Sequence, residues 1–312
     1  MKQIVSFFLL ILLCLPSWAQ SVVVHHADTV PFEIGTDRRI YVKAYLNGDI
    51  HTPFRFLVDT GASGVVLNAS LPTVMKKAKF TGKVLNQGAT SSEVIPATSP
   101  DQKMQVGHNE VAGLTFIAIP YPPQQWDGVL GLAFLSNFDV IFNYDKKQMY
   151  LYAKGKAPKS QAVGIPFVYK ANVPVIPVSV VIKGKSYPLQ VELDSGSDRV
   201  LDVNTPYVKR HGLRGSLPVF AISSISGTSS EQGRLENVCF DSAQIGSIVF
   251  PLLPGAFSTL TAGLQSTSEF DGVIGNNLLQ RFNQQWDFVN QKVYFTVNHR
   301  YYMPFYDFLI AQ

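Results

Sequence analysis

Phe56-Leu57-Val58-Asp59-Thr60-Gly61-Ala62 reads as a strand that ends in a carboxylate at a tight turn, and the chain repeats it as Val191-Glu192-Leu193-Asp194-Ser195-Gly196-Ser197. In both copies a small hydroxyl residue and a glycine follow the aspartate, which lets the backbone turn sharply and approach other groups closely. The offset from Asp59 to Asp194 is 135, and at the same offset Pro53 falls on Pro188 and Val65-Val66 on Val200-Leu201.

The likeness continues along the chain. Gly88-Ala89-Thr90-Ser91-Ser92-Glu93 matches Ser226-Gly227-Thr228-Ser229-Ser230-Glu231 at an offset of 138, with the tetrapeptide Thr-Ser-Ser-Glu identical in both. Trp126-Asp127-Gly128-Val129-Leu130-Gly131 matches Phe270-Asp271-Gly272-Val273-Ile274-Gly275 at 144, and Phe138, Phe142 and Tyr150 meet Phe282, Trp286 and Tyr294 at that same offset. A slowly growing offset means small insertions between shared elements, as loops allow. The chain is therefore a duplicated lobe, with a first copy over 20–153 and a second over 165–312. The joining segment 154–164 is rich in Lys, Pro, Ser and Gly and poor in large apolar residues.

Within each copy the pattern is mostly strand: short β-branched or aromatic runs bounded by Gly, Asn, Asp and Pro. Strands are expected over 40–46, 54–59 and 141–152, and again over 175–182, 189–194 and 285–296. Short helices are expected over 71–78 and 206–211, the second with Thr205 as its cap and Pro206 in its first turn. The class is all-β.

Composition sets the outer bounds. With 312 residues, 46% hydrophobic and 15% charged, the chain can bury a large core and is not compositionally disordered. A net charge of +4, spread over many elements, is too weak to argue for a nucleic-acid binder, and no nucleic-acid partner is expected. Lys2, the apolar run Ile4 to Leu15, and the small residues Ser17 and Ala19 read as a signal peptide over 1–19. The bulky Leu13 before Cys14 argues against a lipid anchor, and cleavage after Ala19 leaves Cys239 as the single cysteine, without an intrachain disulfide. No other stretch approaches 18 uninterrupted apolar residues, so no membrane span is expected. The expectation is export, to the periplasm or the medium.

The repeated aspartates carry the chemistry. If two lobes are related by an approximate two-fold axis, equivalent residues near it meet, so Asp59 and Asp194 face each other. Two carboxylates ~3 Å apart repel by about 5 kcal/mol at an effective dielectric near 20, so one proton is shared between them. The charged member can then activate a water while the protonated member hydrogen-bonds a carbonyl oxygen under attack. Rival chemistries fit less well. The six histidines, at 25, 26, 51, 108, 211 and 299, have no metal-ligand spacing, and no Gly-x-Ser-x-Gly elbow is present. No metal and no cofactor is expected. Asp127 and Asp271, which precede the glycine-rich elements, read as structural.

Asp59-Thr60-Gly61-Ala62 and Asp194-Ser195-Gly196-Ser197 resemble the Asp-Thr/Ser-Gly motifs of the aspartic peptidase clan, and the paired elements 128–131 and 272–275 resemble its hydrophobic-hydrophobic-Gly element. In detail the first copy resembles bacterial retropepsin-like aspartyl proteases, while two lobes in one chain is a pepsin-like feature. The resemblance implies a two-lobed, pepsin-like acid protease fold made from a duplicated retropepsin-like β-barrel lobe, acting as a monomer with pseudo-two-fold lobes. It implies that Asp59 and Asp194 are the catalytic pair. Thr60 and Ser195 would exchange hydrogen bonds beneath them, and Gly61 and Gly196 would permit the turns. Family members close a hairpin flap over the cleft; the repeated segments make Gly88, Thr90, Gly227 and Thr228 the flap candidates. The substrate implied is a peptide or unfolded protein, cut by water. The alternatives are a peptide-binding protein on the same fold and a two-carboxylate glycoside hydrolase.

Overall fold

The computed structural model of the protein describes residues 22–23, 27–122, 125–226 and 232–305. The segment 1–19, read as a signal peptide, lies outside the described residues, as do Gly227 and Thr228.

The strand that leads into each aspartate is long, Asp49–Val58 in the first copy and Lys185–Asp194 in the second. Each starts exposed and becomes buried as it nears the aspartate, because its last residues are clasped between neighbours on both sides. Asp49–Val58 pairs antiparallel with Ile40–Leu46 and parallel with Gly128–Leu130. In the second copy Lys185–Asp194 pairs antiparallel with Val173–Ile182 and parallel with Gly272–Gly275. A strand flanked on both sides needs apolar residues throughout, and Phe56, Val58, Val191 and Leu193 are all fully buried. Burial of side chains of this size contributes about 1.5–3 kcal/mol each.

The neighbour order repeats as well. In the first lobe the sequence across the sheet is Asp49–Val58, Gly128–Leu130, Val65–Asn68, Phe116–Ile119; in the second it is Lys185–Asp194, Gly272–Gly275, Leu201–Val203, Ile248–Ser258. The glycine strands run directly behind the aspartate turns. A Cβ on Gly131 would strike the carbonyls of Ala62 and Gly64, and one on Gly275 the backbone of Arg199, so both positions admit only glycine.

A third sheet joins the lobes. It contains six strands among the described residues, in the order Gly164–Pro166, Lys292–Val297, Phe282–Asp287, Phe138–Asn143, Gln148–Ala153, Ala27–Pro31. Three come from each copy, and the central pairing sets Val140 against Trp286 and Phe142 against Gln284. One hydrophobic core runs beneath this sheet through both lobes, including Phe134, Phe138, Phe282 and Trp286. The fold is thus all-β and two-lobed. Among the described residues the α-helices span four to six residues, and no helix is long and apolar enough to cross a membrane.

Several boundaries differ from expectation. The single strand expected over 141–152 is the hairpin Phe138–Asn143 and Gln148–Ala153, and that over 285–296 is Phe282–Asp287 and Lys292–Val297. Each turn is closed by an acceptor on its first strand: Asn143 Oδ1 receives the Lys146 amide at 2.9 Å and Asp287 Oδ1 the Asn290 amide at 2.9 Å. The first helix is shorter than expected, Pro72–Met75. The second is Thr205–Arg210, with Asn204 and not Thr205 at the N-cap position, one residue earlier than the Pro206 signal suggested.

Candidate active site

Asp59 follows the last residue of one strand and Asp194 ends its counterpart, so both carboxyl groups emerge at turns on the line between the lobes. Each turn folds back on its own aspartate. The Gly61 amide donates to Asp59 Oδ1 at 2.8 Å; the Gly196 and Ser197 amides donate to Asp194 Oδ1 at 2.9 and 3.0 Å. The turns interlock: a Cβ on Gly61 would lie 2.7 Å from Asp194 Cγ, and one on Gly196 would strike the Asp59 carboxyl. Glycine is required here for close approach between lobes, beyond any need of the turn itself.

Beneath the carboxyl groups Thr60 and Ser195 form a reciprocal clasp. The Thr60 amide donates to Ser195 Oγ at 3.0 Å, and the Ser195 amide to Thr60 Oγ1 at 3.0 Å. Each hydroxyl then donates across the interface, Thr60 Oγ1 to the Leu193 carbonyl at 2.6 Å and Ser195 Oγ to the Val58 carbonyl at 2.8 Å. Both side chains are buried, so every donor and acceptor in this set is used where water cannot substitute. The clasp fixes the two turns relative to one another.

The Asp59 and Asp194 carboxyl groups are hydrogen-bonded to each other. Burial pushes Asp59 above the usual carboxylate range, against the pull of the Asp194 contact, the Gly61 amide and the nearby Arg39 guanidinium. Burial, the Asp59 charge and the Glu192 carboxyl raise Asp194 well above that range. Two carboxyls in contact share one proton between them. Arg39 comes from the first lobe and reaches the second: its Nη1 donates to the Gly196 carbonyl at 3.2 Å, and it pairs with Asp37 and Asp198.

The pair lies on a cleft of about 1380 Å³ between the lobes. Leu57, Ile119, Tyr121, Trp126 and Val129 form an apolar stretch of its first-lobe wall, beside Arg39 and Ser63. Hairpins border it from both copies. The first joins Phe80–Gln87 to Ser92–Thr98, and its tip includes Gly88 and Thr90; the second joins Ala221–Ser226 to Gln232–Ile245. Gly88 lines the cleft and Thr90 is buried. The tip crosses to the other lobe, where the Gly88 carbonyl accepts the Leu264 amide at 2.9 Å and the Ala89 carbonyl the Gln265 amide at 3.3 Å.

Asp127 and Asp271 point away from the pair. Asp127 Oδ2 accepts the Arg55 amide at 2.6 Å and Asp271 Oδ2 the Gln190 amide at 2.9 Å, so each ties its glycine strand to the aspartate strand. Two cleft residues were not singled out from sequence, Arg39 and Glu192. Nothing local marks Arg39. Glu192 was marked by the repeat itself, since it stands where the first copy has Leu57.

Residues 42–134 match a family model described as aspartyl protease. No curated protein matches the chain. Among solved structures the fold is similar to the aspartic proteinase from Irpex lacteus, at 14% identity and a TM-score of 0.54, covering 88% of this chain and 98% of that one. The family match spans the first aspartate turn, and across most of the chain the fold is similar to that of an aspartic proteinase.

Proposed function

We propose that the protein is an exported aspartic endopeptidase that acts as a monomer on peptides or unfolded proteins lying extended in the cleft. The observation that carries this reading is the contact between the Asp59 and Asp194 carboxyl groups, each oriented by the amides of its own turn. Asp59, the charged member, takes a proton from a water between the two groups. Asp194, the protonated member, donates to the carbonyl oxygen of the scissile amide as charge develops there. The proton taken by Asp59 passes to the leaving nitrogen, which restores the singly protonated pair. The hairpin tip at Gly88 and Thr90 acts as a flap over the bound chain; the matching candidates Gly227 and Thr228 lie outside the described residues.

Two carboxyl groups in hydrogen-bond contact count against a retaining glycosidase, which needs a separation of about 5 Å. A peptide-binding protein on the same fold would keep the cleft and lose hydrolysis. The test is cleavage of an unfolded protein between about pH 3 and 7, comparing the mature chain with Asp59→Asn and Asp194→Asn. Activity in the mature chain and its loss in both variants supports the peptidase. Equal activity in all three chains refutes the assignment, and none in any favours the binding protein.

A further inference from the structure

Glu192 is 3% exposed, lines the cleft, and receives no hydrogen bond from any donor among the described residues. It lies two residues before Asp194 on one strand, so both side chains project from the same face. Its Oε1 sits 2.8 Å from the point a Cβ on Gly61 would occupy, against the first-lobe turn and beside the catalytic pair. Burial without a cationic partner, together with the Asp59 charge, pushes Glu192 up to about 8. The cations of the cleft are engaged elsewhere. Arg39 pairs with Asp37 and Asp198, while Arg199 bonds Asp202, Asn237 and Ser223. The site holds this carboxyl neutral, and a cation brought beside it from the open cleft would restore its charge.

Its counterpart in the first lobe is Leu57. Leu57 precedes Asp59 by two residues, also lines the cleft, and packs with Tyr41, Val66, Trp126 and Val129. An extended peptide crossing a two-fold-related pair sends the side chains on either side of the scissile bond to opposite faces, toward equivalent positions of the two lobes. One of those positions is apolar and the other is acidic.

We infer that Glu192 is a specificity-determining residue that receives a lysine or arginine side chain next to the scissile bond, with an apolar residue across the bond against Leu57. This rests on the peptidase reading for the position of the bond. The charge pair itself does not need hydrolysis, and the experiment separates the two.

Matched peptides carry an apolar residue on one side of the bond and either lysine or norleucine on the other, in both orientations. They are compared on the wild-type chain, Glu192→Leu and Glu192→Gln. The wild type should favour lysine over norleucine by at least about tenfold in kcat/KM in one orientation. Glu192→Leu, which copies the first lobe, should reverse that preference, and Glu192→Gln, which keeps the volume, should bring it near unity. The same pairs with the scissile amide replaced by a hydroxyethylene group are then titrated by calorimetry, a readout independent of catalysis. A lysine preference in affinity that disappears in both variants supports the inference even for a chain that cuts nothing, in which case only the peptidase reading fails. Equal affinities for the lysine and norleucine forms in the wild type overturn it, and so does a lysine preference that survives both substitutions.

Discussion

The two lobes agree where the carboxyl groups are held and differ where they meet the cleft. Beneath the pair the copies are interchangeable: the Thr60 and Ser195 clasps have equal amide-to-hydroxyl distances, and the glycine strands pair at equivalent registers. Above it, Glu192 stands where the first lobe has Leu57, and Arg39 of the first lobe bonds the Gly196 carbonyl of the second. The contrast separates two demands. Bringing two like charges together is a problem of symmetric geometry, whereas giving them different protons and different substrate neighbours needs asymmetry.

The largest expected effect tests whether the aspartates act as one unit. Asp59→Asn and Asp194→Asn should each lower kcat/KM by at least about 10³-fold, and the double variant should be no worse than the more damaged single one. Multiplying losses in steady-state assays would mean that the carboxyls work separately.

A second comparison lies at the lobes' outer ends. Asn137 Nδ2 donates to the Ala133 carbonyl at 2.7 Å, and at the matching place Arg281 Nε donates to the Asn277 carbonyl at 3.2 Å. Arg281 then goes further. Its guanidinium binds the carbonyls of Arg300, Tyr301, Met303 and Pro304 and lies 3.6 Å from the Phe305 ring centroid, which packs the tail through 305 onto the second lobe. Arg281→Asn makes that position a copy of the first lobe. It should cost about 2–4 kcal/mol in urea denaturation through the lost charge-assisted bonds, and it should expose the tail to limited proteolysis.

The clasp should respond alike from either side. Thr60→Val and Ser195→Ala each leave buried partners unpaired and should destabilise by about 1–3 kcal/mol, while Thr60→Ser keeps every hydroxyl bond and should cost little. A large difference between the first two, read in the same denaturation series, would break the symmetry of the clasp.

The smallest effect is on pH. Arg39 lowers Asp59, so Arg39→Gln removes a favourable charge and raises Asp59 further. The active state needs Asp59 ionised, so the acid limb of kcat/KM against pH should move to higher pH, and Arg39→Lys should restore much of it. An unmoved limb would show that Arg39 serves only as a bridge between turns.

Much of this was legible in the sequence because duplication is a long-range signal: the matched turns, glycine strands and hairpin segments needed no knowledge of contacts. What escaped has local physical reasons. The runs 141–152 and 285–296 break at turns whose left-handed residues are Lys147 and Gln291, with φ of 54° and 51°, where no glycine advertises the bend. Arg39 reaches the pair only through the packing of one lobe on the other. The partition of the proton between equivalent aspartates also depends on groups distant in sequence.

The six-stranded sheet has a consequence for the joining segment. The strands on either side of it, Gln148–Ala153 and Gly164–Pro166, stand at separate places in a sheet whose central seam is Phe138–Asn143 against Phe282–Asp287. Hydrogen bonds and a shared core unite the halves, so the covalent tether sets their stoichiometry and effective concentration more than their strength. Severed between 154 and 163, the molecule would persist as a heterodimer of its own two halves.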